Sequence, residues 1–220
     1  MSKRVHQYFG DAINVQWDAQ RCIHAAECLR RLGVVFDTRR VPWVLPDAAT
    51  ADEIAETIGY CPTGALHFTR HDGGLEETAD DVNTVKLRVN GPLFVRGDIV
   101  LTEEDDEIVL HDTRIALCRC GASQHKPFCD NSHLAIGFQH DGTLGVNKLQ
   151  IDADLPLQAD TLKIVLAENG PLQLRGPVEI HGRDRRISYT GNTADLCRCG
   201  RSSNKPFCDS THERIGFRSN

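Results

Sequence analysis

Cys118-Arg119-Cys120-Gly121-Ala122-Ser123-Gln124-His125-Lys126-Pro127-Phe128-Cys129-Asp130-Asn131-Ser132-His133 returns later in the chain as Cys197-Arg198-Cys199-Gly200-Arg201-Ser202-Ser203-Asn204-Lys205-Pro206-Phe207-Cys208-Asp209-Ser210-Thr211-His212. Both stretches read C-x-C-x8-C-x3-H. Cys118 and Cys120 are too close in an extended segment to form a disulfide, but their side chains meet at a shared metal if the backbone turns between them. Cys129 and His133 stand four apart, so one helical turn puts both on one face. Asp130 and Asp209 suit a helix start. The Lys-Pro-Phe step breaks regular structure and turns the chain back toward the first two cysteines.

The repeat extends beyond the motif. Asn90-Gly91-Pro92-Leu93 recurs as Asn169-Gly170-Pro171-Leu172 at the same offset of 79 residues, and Asn90–Phe138 aligns with Asn169–Phe217 without a gap over 49 positions, 23 of them identical. The identities cluster at the Asn-Gly-Pro turn and across the Cys/His motif, as in a duplicated domain. Each copy reads as mostly β. Val85–Val89 and Leu162–Leu166 form matching strands, and Asn-Gly-Pro supplies a turn. Short runs follow at Leu93–Arg96, Ile99–Thr102 and Ile108–Leu110, matched by Leu172–Arg175, Val178–His181 and Ile187–Tyr189.

The pattern C-x-C-x2-[ST]-x3-P-x-C-D-x2-H resembles the CDGSH iron–sulfur domain of the mitoNEET family. Cys118, Cys120, Cys129 and His133 match its four ligands, as do Cys197, Cys199, Cys208 and His212. Ser123/Ser202, Pro127/Pro206 and Asp130/Asp209 match its other fixed positions. The resemblance implies one [2Fe–2S] cluster per motif, two in all, with the first two cysteines on one iron and the third cysteine and the histidine on the other. The glycine of the family motif is replaced by Asn131 and Ser210. If that position needs a positive φ, the second site is the more strained, because Asn tolerates it better than Ser.

Three thiolates leave an oxidised two-iron core less negative than four would, so the histidine raises the potential. Histidine also exchanges metal for a proton near neutral pH, which couples the site to acid. Three Cys and one His equally suit structural Zn²⁺, the competing reading on spacing alone. Residues 197–218 carry a net charge of +3 from Arg198, Arg201, Lys205, Arg214 and Arg218 against Asp209 and Glu213. This charge either compensates an anionic cluster or forms a docking face for an acidic redox partner.

A third cysteine group precedes the repeats. Cys22-Ile23-His24-Ala25-Ala26-Glu27-Cys28 is followed by Cys61-Pro62-Thr63-Gly64. A bacterial ferredoxin places C-x2-C-x2-C before a distant Cys-Pro; here the second position is Ala25. The segment resembles the divergent single-cluster ferredoxin family over about residues 5–68. A [3Fe–4S] cluster needs only three thiolates and is preferred. A [4Fe–4S] cluster with His24 as fourth ligand and unmetallated core cysteines are the other two readings. A helix over Ala51–Gly59, with Thr50 and Glu53 as a capping box, leads into Cys61.

The 220 residues carry a net charge of −6, which argues against nucleic acid or an anionic membrane as partner, and no stretch approaches a membrane span. The N-terminus has no apolar core of a secretory signal, so the cytoplasm, where disulfides are rare, is expected. Nine cysteines in three groups of three then point to metal ligation.

The expected fold is α+β: a ferredoxin-like domain over 1–69, a linker over 70–81, a first CDGSH domain over 82–140, a connector over 141–160 with a further strand or hairpin around Gly142–Ile151, and a second CDGSH domain over 161–220. The two repeats are expected to pair within a monomer. No nucleophile–base set, phosphate loop or dinucleotide fingerprint marks an enzyme. The expected function is electron transfer with a redox partner protein. The alternative is cluster storage, transfer to an apo acceptor, or redox and pH sensing. The histidines His111, His125 and His140, lacking partner spacing, are read as surface residues.

Overall fold

The computed structural model describes residues 5–155, 160–184 and 186–219. The first four residues of the expected N-terminal domain, part of the expected connector (156–159) and positions 185 and 220 lie outside them. The chain divides into two compact units, one up to Thr78 and one from Ala79.

In the first unit, β1 (Val5–Tyr8), β2 (Ile13–Asp18) and β3 (Leu66–Arg70) form an antiparallel sheet in that order. Between β2 and β3 lie α1 (Glu27–Arg31) and α2 (Ala51–Gly59). The α2 start is as its sequence dictates: Thr50 Oγ1 accepts from Glu53 N at 3.3 Å, and Glu53 Oε2 accepts from Thr50 N at 3.0 Å. Its buried face, Ile54 and Ile58, packs with Ile13, Val15, Phe36 and Leu66.

The second unit is one continuous sheet. Its strands are β4 (Thr84–Leu87), β5 (Leu93–Thr102) and β6 (Ile108–Leu117) from the first repeat, and β7 (Thr161–Leu166), β8 (Leu172–His181) and β9 (Ser188–Leu196) from the second. Within each repeat the pairs are antiparallel. Between repeats they are parallel: β4 on β8, with Val85 opposite Ile180, and β5 on β7, with Leu101 opposite Ile164. Shifted by the repeat offset these two registers are the same, so the junctions obey a two-fold relation. Strands β4, β5, β7 and β8 close into a ring, with β6 on β5 and β9 on β8. The two repeats share a core that includes Val85, Leu101, Ile164 and Ile180.

The chain is mostly β. Apart from α2 its helices are single turns, including α3 (Ser132–Ala135) and α4 (Thr211–Arg214), so helix has a smaller share than the α+β expectation gave it. The runs Leu93–Arg96 and Ile99–Thr102 are one strand with a bulge at Gly97. Gly97 has φ 130, and a Cβ there would stand 2.0 Å from Asn83 Oδ1. The bulge admits Asn83, which accepts from Asp98 N at 2.9 Å and donates to the Asp160 and Pro177 carbonyls. Gly176 repeats this in β8, with φ 118 and Thr161 O beside it. The hairpin expected around Gly142–Ile151 is absent among the described residues. The segment instead lies against the second repeat, bridging Gln150 to Thr193.

Candidate metal centre

The Cys/His loops are built identically in the two repeats. Cys118 N donates to Pro127 O and Cys129 N to Ala116 O, at 2.8 and 2.9 Å, so the loop doubles back and sets Cys129 beside Cys118. Ser123 Oγ donates to Phe128 O at 2.7 Å and accepts from His125 N, pinning the loop from inside. Asp130 accepts from Ser132 N at 2.9 Å and Gln124 N at 2.8 Å, joining the helix start to the loop. Asn131 precedes α3 with φ 70, and Ser210 precedes α4 with φ 61. This position does require left-handed backbone, the conformation that a glycine adopts without strain.

The donors stand as two pairs in each site. Cys118 Sγ and Cys120 Sγ are 3.7 Å apart, and Cys129 Sγ lies 3.5 Å from His133 Nδ1. In the second site the matching distances are 3.7 Å for Cys197 and Cys199 and 3.3 Å for Cys208 and His212 Nδ1. Among the described residues no three Cys, His, Asp or Glu side chains converge on one point fit for a single ion. The Cys118–Cys120 hydrogen bond pulls Cys118 down to about 6 and pushes Cys120 up, so the pair shares one proton. Burial pushes Cys129 up to about 11 and lowers His133. Neutral imidazole is the form that binds metal.

The N-terminal cysteines also come together. Cys22 lies in the loop after β2, Cys28 on α1, and Cys61 follows α2, its N–H bonded to Ile58 O at 2.8 Å. All three line one hollow with Trp17 and Trp43. Burial, then the neighbouring Cys61 and Cys22, pushes Cys28 up to about 11. Between the first two cysteines His24 and Ala26 have φ 55 and 60. Such left-handed turns form anion-binding concavities of backbone amides. Trp17 Nε1 is buried with no hydrogen-bond partner beside this hollow, and a sulfur acceptor would satisfy it. His24 is exposed, its Nδ1 3.9 Å from Cys22 Sγ, and it is not among the residues lining the hollow.

Residues 8–71 match the family described as "Divergent 4Fe-4S mono-cluster", and residues 90–134 and 169–213 each match "Iron-binding zinc finger CDGSH type". The chain belongs to the CDGSH-type iron–sulfur proteins, with a divergent mono-cluster module ahead of the pair. It is 36% identical over 64 residues to "Uncharacterized protein YjdI" of Escherichia coli K12, across 29% of this chain and 83% of that one. YjdI of Escherichia coli O157:H7 matches to the same extent. No solved structure matches.

The paired CDGSH motifs face each other closely. A Cβ on Gly121 would stand 2.6 Å from Cys199 O, and one on Gly200 would stand 2.4 Å from Cys120 O. Only glycine permits this approach. Arg119 is 1% exposed and Arg198 3%. Arg119 donates to Gly91 O at 3.0 Å, to Arg88 O at 2.6 Å and to His140 Nδ1 at 2.9 Å. Arg198 donates to Gly170 O and Ala167 O. Burial lowers the pKa of both arginines, and nearby negative charge opposes it: Cys197 and Cys120 at Arg119, Glu103 and then Cys118 at Arg198. Each arginine thus lies in the field of the other repeat's thiolates. The sequence left Arg198 between compensating an anionic cluster and forming a docking face; its burial takes it out of any such face. His140, read as a surface residue, is half-buried and accepts from Arg119. Burial and Arg119 lower it to about 4.

Among the described residues no helix is long and apolar enough to cross a membrane.

Proposed function

We propose that this chain is an electron carrier holding two [2Fe–2S] clusters, at Cys118/Cys120/Cys129/His133 and Cys197/Cys199/Cys208/His212. A [3Fe–4S] or [4Fe–4S] cluster is held by Cys22, Cys28 and Cys61, and the chain is not by itself an enzyme. The observation that carries this is the division of each CDGSH donor set into a thiol pair and a Cys–His pair, twice over. Two irons need two such half-sites, whereas a structural zinc needs four donors on one point. Bound clusters supply one-electron chemistry. The protein's own part is to anchor the loops through Ser123 and Ser202, set the histidine edge through Asp130 and Asp209, and hold positive charge at Arg119 and Arg198 against the thiolates. Nine free thiols suit the cytoplasm, and the pairing of repeats within one unit suits a monomer. Cluster storage and transfer is the second reading, favoured by the partly exposed Cys208–His212 edge.

Oxygen-free purification with iron and acid-labile sulfide analysis tests the proposal. The paired sites are expected to contribute about four irons and four sulfides, and the first unit three or four more irons. A colourless protein with stoichiometric zinc would overturn it. Electron paramagnetic resonance separates the N-terminal alternatives, since a three-iron cluster is paramagnetic when oxidised.

A further inference from the structure

The hollow that gathers Cys22, Cys28 and Cys61 is bordered by arginines. Arg30 Nη2 donates at 2.8 Å to the carbonyl of Ala25, a residue of its wall. The Arg31 guanidinium lies 3.3 Å over the ring of Tyr60, the residue before Cys61. A short hairpin carries two more. Asp37 N donates to Trp43 O at 2.8 Å and Leu45 N to Val35 O at 2.9 Å. Trp43 thereby enters the wall of the hollow, while the tip holds Arg39, its side chain 89% exposed, and the fully exposed Val41 in solvent. Arg40 folds back from the tip and donates to Val34 O at 2.8 Å, and Val34 itself is 58% exposed. Residues 27–45 thus carry four arginines against Glu27 and Asp37, a net charge of +2 in a chain of −6.

Balancing the charge of a cluster does not require these arginines. That place is taken by Arg21, which is buried and whose Nη2 donates at 2.6 Å to the carbonyl of Thr63 in the wall of the hollow. Charges left in solvent steer encounter instead, and exposed apolar side chains among them supply the short-range attraction. One-electron carriers dock transiently through interfaces of less than about 1,200 Å², so a rim of this size suffices. Here the donor set also comes nearest to solvent, since Cys22, Cys28 and Cys61 are each partly exposed. We propose that the rim from Arg30 to Val41 is the docking face through which an acidic one-electron carrier protein reduces the N-terminal cluster. This rests on the iron–sulfur reading of Cys22, Cys28 and Cys61. One electron passes from the reduced carrier to the oxidised cluster. The carrier is oxidised by one electron, and no bond is made or broken.

The test mixes the full-length, cluster-loaded, oxidised protein with reduced flavodoxin, an acidic one-electron donor, and follows the N-terminal cluster by rapid-freeze electron paramagnetic resonance. The second-order rate is expected to fall at least tenfold between about 20 and 300 mM salt. At low salt Arg39→Glu should slow it at least tenfold, and Val41→Ser, which leaves the charge alone, at least threefold. Dithionite, a small reductant that needs no docking face, should reduce both variants within about twofold of the native rate. Full-rate reduction of Arg39→Glu and Val41→Ser by flavodoxin would overturn the proposal. So would slowing by Arg201→Glu alone, which moves docking to the second CDGSH loop. Salt-sensitive dimers of the loaded chain that Arg39→Glu dissolves would make a second copy the occupant, through its acidic tip Glu103–Glu107 between β5 and β6, and overturn it too. Absence of acid-labile sulfide from the starting protein would instead overturn the iron–sulfur reading.

Discussion

Ser210 shows how one residue separates two nearly identical sites. It occupies left-handed backbone, φ 61, where the first repeat has Asn131 at φ 70. A serine pays a steric cost there that glycine avoids and asparagine partly offsets. Ser210→Gly is therefore expected to stabilise the loaded chain by about 0.5–1 kcal/mol, and Asn131→Gly by less. Urea midpoints of the two variants measure this; a loss on Ser210→Gly would contradict it. The need for glycine-like geometry was legible as a condition on the motif, and the dihedral angles met it. The burial of Arg119 and Arg198 was not legible, because an arginine between two cysteines fits a compensating charge and a docking face equally well. The signal was present: the repeat's identities fall into two blocks, the Asn-Gly-Pro turn and the Cys-Arg-Cys motif. Each arginine is the hydrogen-bonded bridge between the two.

At the scale of elements, alternation and turn chemistry located most strands, since a half-buried strand must alternate whatever it packs on. The capping box located α2 for an equally local reason. The bulges escaped, because nothing near Gly97 or Gly176 in sequence demands them. Each is fitted to the start of the preceding strand in its own repeat, Asn83 beside Gly97 and Thr161 beside Gly176, a contact that only the folded hairpin brings about. Gly97→Ala should accordingly destabilise the second unit by about 2–4 kcal/mol, the cost of a Cβ against Asn83 together with a disfavoured φ. Hydrogen exchange should locate the loss to β4, β5 and β7 and leave β1–β3 protected as before.

For the whole molecule, the decisive feature is ring closure by two parallel junctions between the repeats. A single repeat would expose an unpaired edge on β4 and another on β5, together with the apolar face that the partner repeat covers. A chain truncated after residue 141 is therefore expected to dimerise through that edge or to precipitate, while the full chain stays monomeric. Light scattering distinguishes these outcomes, and a soluble monomer of the truncated chain would refute the account. The same closure presses Cys120-Gly121 against Cys199-Gly200 and puts each buried arginine in the field of the opposite site.

Donor identity, donor spacing, the duplication and the local turns all follow from the amino-acid order, because ligand chemistry and short-range backbone preference act over a few residues. Which edge of each site meets solvent, which arginines leave the surface and how the repeats share one sheet depend on contacts between residues about 80 positions apart. Those contacts are settled by packing two copies around a common core, and neither copy alone encodes them.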